Sequence, residues 1–113
     1  MTGPSKELQT MKAEFFGALA HPMRIRLLEV LSQKGEQSVQ ALHTRLAVEQ
    51  PIVSQQLAKL RAHGVVISRK EGTTVFYALA NSRIAELLKV ARDILNRKLT
   101  GSKTLLHELR RLG

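Results

Sequence analysis

The sequence predicts a mainly α chain with one small β-hairpin, and three observations predict it. Val53, Leu57 and Leu60 recur at i, i+4 and i+7 on a segment opened by Pro51 and stopped by Gly64, which is one apolar stripe of a helix. From Val65 the spacing drops to period two, reaches Glu71-Gly72, and returns through the β-formers of Thr74 to Leu79, which is a hairpin signal. Long apolar stripes at both ends of the chain then frame this middle.

The elements follow in order. A first helix is expected from about Lys6 to Leu19, with Leu8, Met11, Phe15, Phe16 and Leu19 on its apolar side. His21-Pro22 interrupts it, because the residue before proline is pushed out of the α region. Pro22 opens a second helix with Ile25, Leu27, Leu28 and Leu31 inward, Arg24 and Arg26 outward, and Gly35 at its end. A third begins near Ser38, a good N-cap, and turns Val39, Leu42 and Leu46 inward. Ala47-Val48-Glu49 is the tight turn into the fourth helix, where Pro51 loses nothing by lacking an N–H in the first turn. The strands after Gly64 are expected to form one hairpin rather than a sheet. Asn81-Ser82 caps a long helix striped by Ile84, Leu87, Leu88, Ala91, Ile94 and Leu95. Gly101-Ser102 is placed to break or kink it before Leu105, Leu106, Leu109 and Leu112 form a second leucine face. Helix, glycine stop and basic hairpin in that order make the pattern of a winged helix-turn-helix. No repeat or interior linker divides the chain, so 1–113 reads as one domain.

Composition narrows the partners. A hydrophobic content of 43% suits a globular chain of 113 residues, small enough to favour oligomerisation. Lys and Arg total 18 against 9 Asp and Glu, a formal charge of +9, which suits a polyanion. The charge is concentrated usefully: Arg45, Lys59, Arg61, Arg69 and Lys70 stand against Glu49 alone between Arg45 and Lys70. There is no cysteine, which excludes disulfides, thiolate metal sites and cysteine nucleophiles. No apolar run approaches the roughly 20 residues that span a bilayer, and the first ten residues lack a signal-peptide core. A soluble, cytoplasmic protein without membrane contact is expected.

Opposite the apolar stripe of the fourth helix lie Ile52, Gln55, Gln56 and Lys59. This side is rich in amides, which form paired hydrogen bonds to an adenine edge in the major groove. Gln55 and Gln56 are therefore the candidate base readers, against the bland reading of two solvated glutamines. Gln50 and Ser54 are candidate phosphate or base-edge contacts. Ile52 either touches a thymine methyl or belongs to the core. Lys59, Arg69, Lys70 and Thr73 would hold the DNA backbone, where charge positions and amides specify. The terminal stripes exceed what a small three-helix core needs, and an exposed leucine stripe marks an interface. The expected dimerisation residues are Leu8, Met11, Phe15, Leu87, Leu88, Ile94, Leu95, Leu105 and Leu109.

His21, His43, His63 and His107 form neither His-x-x-x-His nor His-x-x-Glu. A metal gathered at a dimer interface from single ligands such as His21, His107 or Glu14 is a minor alternative. No paired carboxylates, phosphate loop or base beside Ser54 points to an enzyme, and no cofactor is expected.

Three stretches resemble one family. Ala18 to Leu31, with its His21-Pro22-Met23-Arg24 core, is similar to the opening of bacterial ArsR/SmtB-type winged-helix regulators. Val53 to Val66, with Ser54-Gln55-Gln56-Leu57, resembles their recognition helix, and Arg69 to Leu79 resembles their wing. The resemblance covers about residues 11 to 97. It implies a homodimer paired through first and last helices, a helix in the major groove and a wing on the flanking backbone or minor groove. It also implies transcriptional repression, in many members relieved by an effector. The departures are equally clear. Where thiol-bearing members have Cys-x-Cys stand Ser38 and Gln40. Where others bind metal through Asp, His, His and Glu stand Asn81, Arg83, Ile94 and Arg97, which are unsuited to a cation.

The leading functional expectation is a sequence-specific transcriptional regulator binding operator DNA as a homodimer, repressor or activator. The alternatives are a nickel- or zinc-responsive regulator with a non-standard His/carboxylate site, a non-specific architectural or RNA-binding protein, and an interaction module whose terminal helices take a partner protein. An unidentified effector or partner protein joins operator DNA among the partners considered.

Overall fold

The computed structural model describes residues 3–98 and 103–112. Helix α1 spans Gly3–Leu19 and α2 Pro22–Lys34; a short strand β1, Gln37–Ser38, leads into α3, Val39–Leu46, and α4, Gln50–Ala62. Strands β2, Val66–Glu71, and β3, Thr74–Leu79, precede α5, Ser82–Lys98, and α6, Lys103–Leu112.

Local chemistry sets these boundaries. His21 is extended (φ −151°, ψ 126°) and its Nδ1 accepts the Met23 N–H, so the residue before Pro22 caps α2. Ser38 Oγ accepts the Ala41 N–H at 3.0 Å and starts α3, satisfying a donor the helix itself cannot. Asn81 Oδ1 does the same for the Arg83 N–H at the head of α5. Gly64 sits at φ +71°, and Val65 N–H returns to the Leu60 carbonyl, the left-handed stop that favours glycine.

The turn between α3 and α4 is pinned rather than loose. Ala47 takes φ 54°, a conformation that costs a non-glycine residue roughly 1–2 kcal/mol. Contacts on both sides hold it. His43 Nδ1 lies 2.6 Å from the Val48 carbonyl, and Arg26 Nη2 donates to the Leu46 carbonyl. The angle of α4 against α3 is therefore set by one side chain of α3 itself, His43, and one from α2, Arg26.

The hairpin is part of a sheet. β2 and β3 pair antiparallel from Val66↔Leu79 to Glu71↔Thr74, and β1 adds to the other side of β3 through Ser38↔Phe76 and Gln37↔Tyr77. The expectation of a lone hairpin is corrected: a two-residue strand has no alternation to read, and its pairing is made with a segment far downstream.

Leu27 and Leu28 of α2, Leu42 of α3, Val53, Leu57 and Leu60 of α4, and Val65 and Val66 form the fully buried centre. Tyr77 and Ile84 close it from β3 and α5. Ile25 does not join them. It is 39% exposed, because the inward arc of α2 is already filled by Leu27, Leu28 and Leu31. Ile52 is 41% exposed, so it stands outside the core.

The terminal helices differ. Leu8, Met11 and Phe16 on α1 and Val90, Ile94 and Leu95 on α5 are exposed, as is Leu105 on α6, while Leu109 is half-buried. Phe15, Leu87 and Leu88 are partly buried against the core, so those three also serve the monomer. Gly101-Ser102 lies outside the described residues, as does the side chain of Leu106. Among the described residues no helix is long and apolar enough to cross a membrane.

Candidate nucleic-acid interface

The apolar stripe of α4 is consumed by the core, so its remaining arc faces outward. Ile52, Gln55 and Lys59 are exposed there. Glu49 stands at the N-cap of α4 without a side-chain cap, and Pro51 lies in its first turn, so the first-turn N–H groups of α4 are uncapped by the N-cap side chain. That is the end that attracts anions.

On the flank toward the sheet, Gln50 and Ser54 line a cleft of about 390 Å³ with Gln40 at the start of α3 and Thr73 and Thr74 at the tip of the hairpin. Three of the expected DNA-contacting residues thus share one polar groove between helix and wing. Gln40 belongs to it as well, and the sequence pattern missed that because Gln40 lies on a different helix. The wing is tied to α4 by Arg61 Nη1, which donates to Ser68 Oγ at 2.9 Å.

The basic residues divide in a way their spacing did not reveal. Lys59 and Lys70 are exposed, and neither forms an ion pair among the described residues. Arg69 is engaged three times. Its Nε and Nη2 donate to the two carboxylate oxygens of Glu36, at 2.9 and 2.8 Å, and Nη1 donates to Glu71 at 2.7 Å. The guanidinium also stacks 4.5 Å from the Phe76 ring centre, an arrangement suited to its planar fork. The hydrogen bonds from Arg69 hold the Glu36 carboxyl below its usual range, and the two carboxylates push the guanidinium up. The expectation of Arg69 as a free backbone contact therefore meets a group that already joins β2 to the loop before β1.

The two glutamines also differ. Gln55 is exposed, whereas Gln56 is half-buried and accepts a hydrogen bond from Arg24 Nε at 2.9 Å. Arg24, read from the sequence as an outer residue of α2, is half-buried and reaches α4.

The candidate metal positions do not fit a cation. Asn81 Oδ1 is occupied as a helix cap, and Arg83 pairs with Glu86 at 3.0 Å. Ile94 offers no donor and Arg97 only a positive charge. Ser38 caps α3 where a thiolate would be needed. Of the minor alternative ligands, His21 has Nδ1 engaged, and Glu14 and His107 are exposed. Among the described residues no three His, Cys, Asp or Glu side chains converge within the chain.

Comparison with known proteins agrees with this architecture. A helix-turn-helix domain family matches residues 19–69. The chain is 43% identical over 109 residues to the HTH-type transcriptional regulator Rv0081 of Mycobacterium tuberculosis, covering 96% of each. The crystal structure of Rv0081 superposes with a TM-score of 0.74, covering 88% of this chain and 97% of that one. A transcriptional repressor SmtB homolog of Synechocystis is 39% identical over 81 residues, 72% of this chain and 61% of that protein. The chain belongs to the ArsR/SmtB family of winged helix-turn-helix regulators. The solution structure of the homodimeric winged helix-turn-helix domain of Mb0332 from Mycobacterium bovis, described as a possible ArsR-family regulator, gives a TM-score of 0.80. It is 27% identical, with 91% of this chain and 94% of that one covered. In this ArsR/SmtB-type chain α3 and α4 are the helix-turn-helix, and β2 and β3 are the wing.

Proposed function

We propose that this chain is a sequence-specific transcriptional repressor that binds operator DNA as a homodimer. The observation that carries the reading is the gathering of Gln50, Ser54 and Thr73 on one groove between α4 and the wing, beside an exposed Gln55. Gln55 enters the major groove and contacts base edges. Gln50, Ser54 and Thr73 hold the adjoining strand, Lys59 and Lys70 neutralise phosphates, and Ile52 offers its side chain to a thymine methyl. Arg69 holds the wing rather than the DNA.

Leu8, Met11, Ile94 and Leu95 pair two copies through α1 and α5, which sets the two recognition helices at a fixed spacing and selects a two-fold operator. A homodimeric neighbour supports the pairing, and a relative named as a repressor supports repression. The chain works without the thiolate or paired-helix metal site, since Asn81, Arg83, Ile94 and Arg97 cannot supply it. Release by an effector of another kind, or by a partner protein, is compatible with the same dimer.

The test is competition. DNA fragments that co-purify with the protein define an operator duplex, and its binding is measured against bulk DNA. The operator should win, and Gln55→Ala should lose about 1–3 kcal/mol of that preference. Equal affinity for bulk DNA would instead make the protein an architectural binder. A change of more than about tenfold in operator affinity on adding nickel or zinc would make it a metal-responsive regulator.

A further inference from the structure

We propose that Arg24 makes Gln56 a donor-only reader, so that the two adjacent glutamines of α4 select different bases. The proposal rests on the reading of α4 as the DNA-facing helix.

A free glutamine amide carries an acceptor and a donor side by side, which complements the N6 and N7 edge of adenine. Gln55 is exposed and keeps both functions. Gln56 does not. Its Oε1 accepts from Arg24 Nε at 2.9 Å. A guanidinium only donates, so the oxygen, not the nitrogen, is the end turned toward α2. The guanidinium is itself anchored, because Nη1 donates to the Ala18 carbonyl at 2.9 Å and Ala18 is buried at the end of α1. The contact is charge-assisted and half-buried, which makes it stronger and less screened than an exposed pair.

With its oxygen turned toward α2 and one lone pair taken by Arg24, the amide has its NH₂ group as the end to offer a base. That group complements the acceptors of guanine (N7 and O6) or thymine (O4), not the paired edge of adenine. The helix therefore reads adenine with Gln55 and an acceptor edge with Gln56. Arg24, on a helix that the sequence pattern keeps apart from DNA, is the positioning residue for that choice.

Binding-site selection from a randomised duplex library tests this with the full chain. Variants Arg24→Met, Gln56→Ala, the double variant, Gln56→Glu and Gln55→Ala are compared with the unmodified protein. Arg24→Met should raise adenine about tenfold at one operator position, and the shift should vanish in the Gln56→Ala background. Gln56→Glu keeps the Arg24 contact but removes the donors, so that position should move to cytosine, whose N4 donates. This variant carries the test should Arg24→Met fold poorly. The proposal is overturned if the Arg24→Met shift persists without Gln56, if Arg24→Met weakens all sequences equally, or if Gln56→Glu leaves the position unchanged. Gln55→Ala should relax its own position regardless. If neither glutamine affects the selected sequence, the DNA-facing reading of α4 falls as well.

Discussion

Helices α2 and α4 bury Leu27, Leu28, Leu31, Val53, Leu57 and Leu60 almost completely, whereas α5, with 17 residues, buries Ile84 and leaves Ile94 63% exposed. Both regions are written in the same leucine, isoleucine and valine, at the same helical period. The difference is what stands opposite. The middle helices face each other and the sheet across one small core. Among the described residues, Leu8, Met11 and Phe16 on α1 and Val90, Ile94 and Leu95 on α5 stay exposed. Apolar periodicity thus reports that a face is to be covered, and only the surroundings decide whether the cover is intramolecular.

The sharpest way to probe this contrast is to cut each region separately. Leu57→Ala leaves a cavity at the centre and should cost about 2–5 kcal/mol of stability, measured by urea unfolding. A loss well under 1 kcal/mol would mean that the middle is less tightly packed than its burial indicates. On the other side, Ile94→Glu with Leu95→Glu should leave the fold intact by circular dichroism and turn a dimer into a monomer in sedimentation. The same double variant should weaken operator binding. An unmodified chain that sediments as a monomer at micromolar concentration would remove the dimer from the comparison altogether.

The wing holds a smaller version of the same contrast. Lys70→Ala should reduce the slope of log affinity against log salt by about one. Arg69→Ala should instead speed amide exchange along β2 and β3, since its partners are Glu36 and Glu71. Because the Glu36 carboxyl is lowered from 4.5 by Arg69, this anchoring is complete above pH 4.5 and is lost as pH falls through the lowered value. Equal salt slopes for the two variants would return Arg69 to the DNA.

The smallest effect concerns Glu29 on α2. Burial raises its carboxyl above 4.5 against the opposing charges of Arg92 and Arg26. A carboxylate raised on folding disfavours the folded state once it is ionised, so its cost appears as pH rises past 4.5 and is absent below. Glu29→Gln should therefore raise the melting temperature slightly at pH 7 and have no effect near pH 4. A lower melting temperature at pH 7 would show that Arg92 and Arg26 outweigh burial.

Much of the molecule was determined by the sequence alone. Pro22, Gly35, Ser38, Pro51, Gly64 and Asn81 mark element ends because their constraints on the backbone, or their capping oxygens, act within a few residues. The inward stripes of α3 and α4 and the return strand from Thr74 to Leu79 follow from period, which is equally local. The family was legible for the same reason, since its motifs are short ordered runs. Tertiary structure decided what no local rule reaches. It paired Gln37 and Ser38 with β3, turned Ile25 outward, tied Arg69 to Glu36, and joined Arg24 of α2 to Gln56 of α4. The strand pairing, the Arg69 ion pair and the Arg24 contact each join segments far apart in sequence through a polar or edge group whose partner only chain packing supplies, and Ile25 faces outward because that packing had already filled the inward arc of α2. Charge and amide content show that α4 and the wing can meet DNA. Which of their cations and amides remain free to do so depends on those distant contacts.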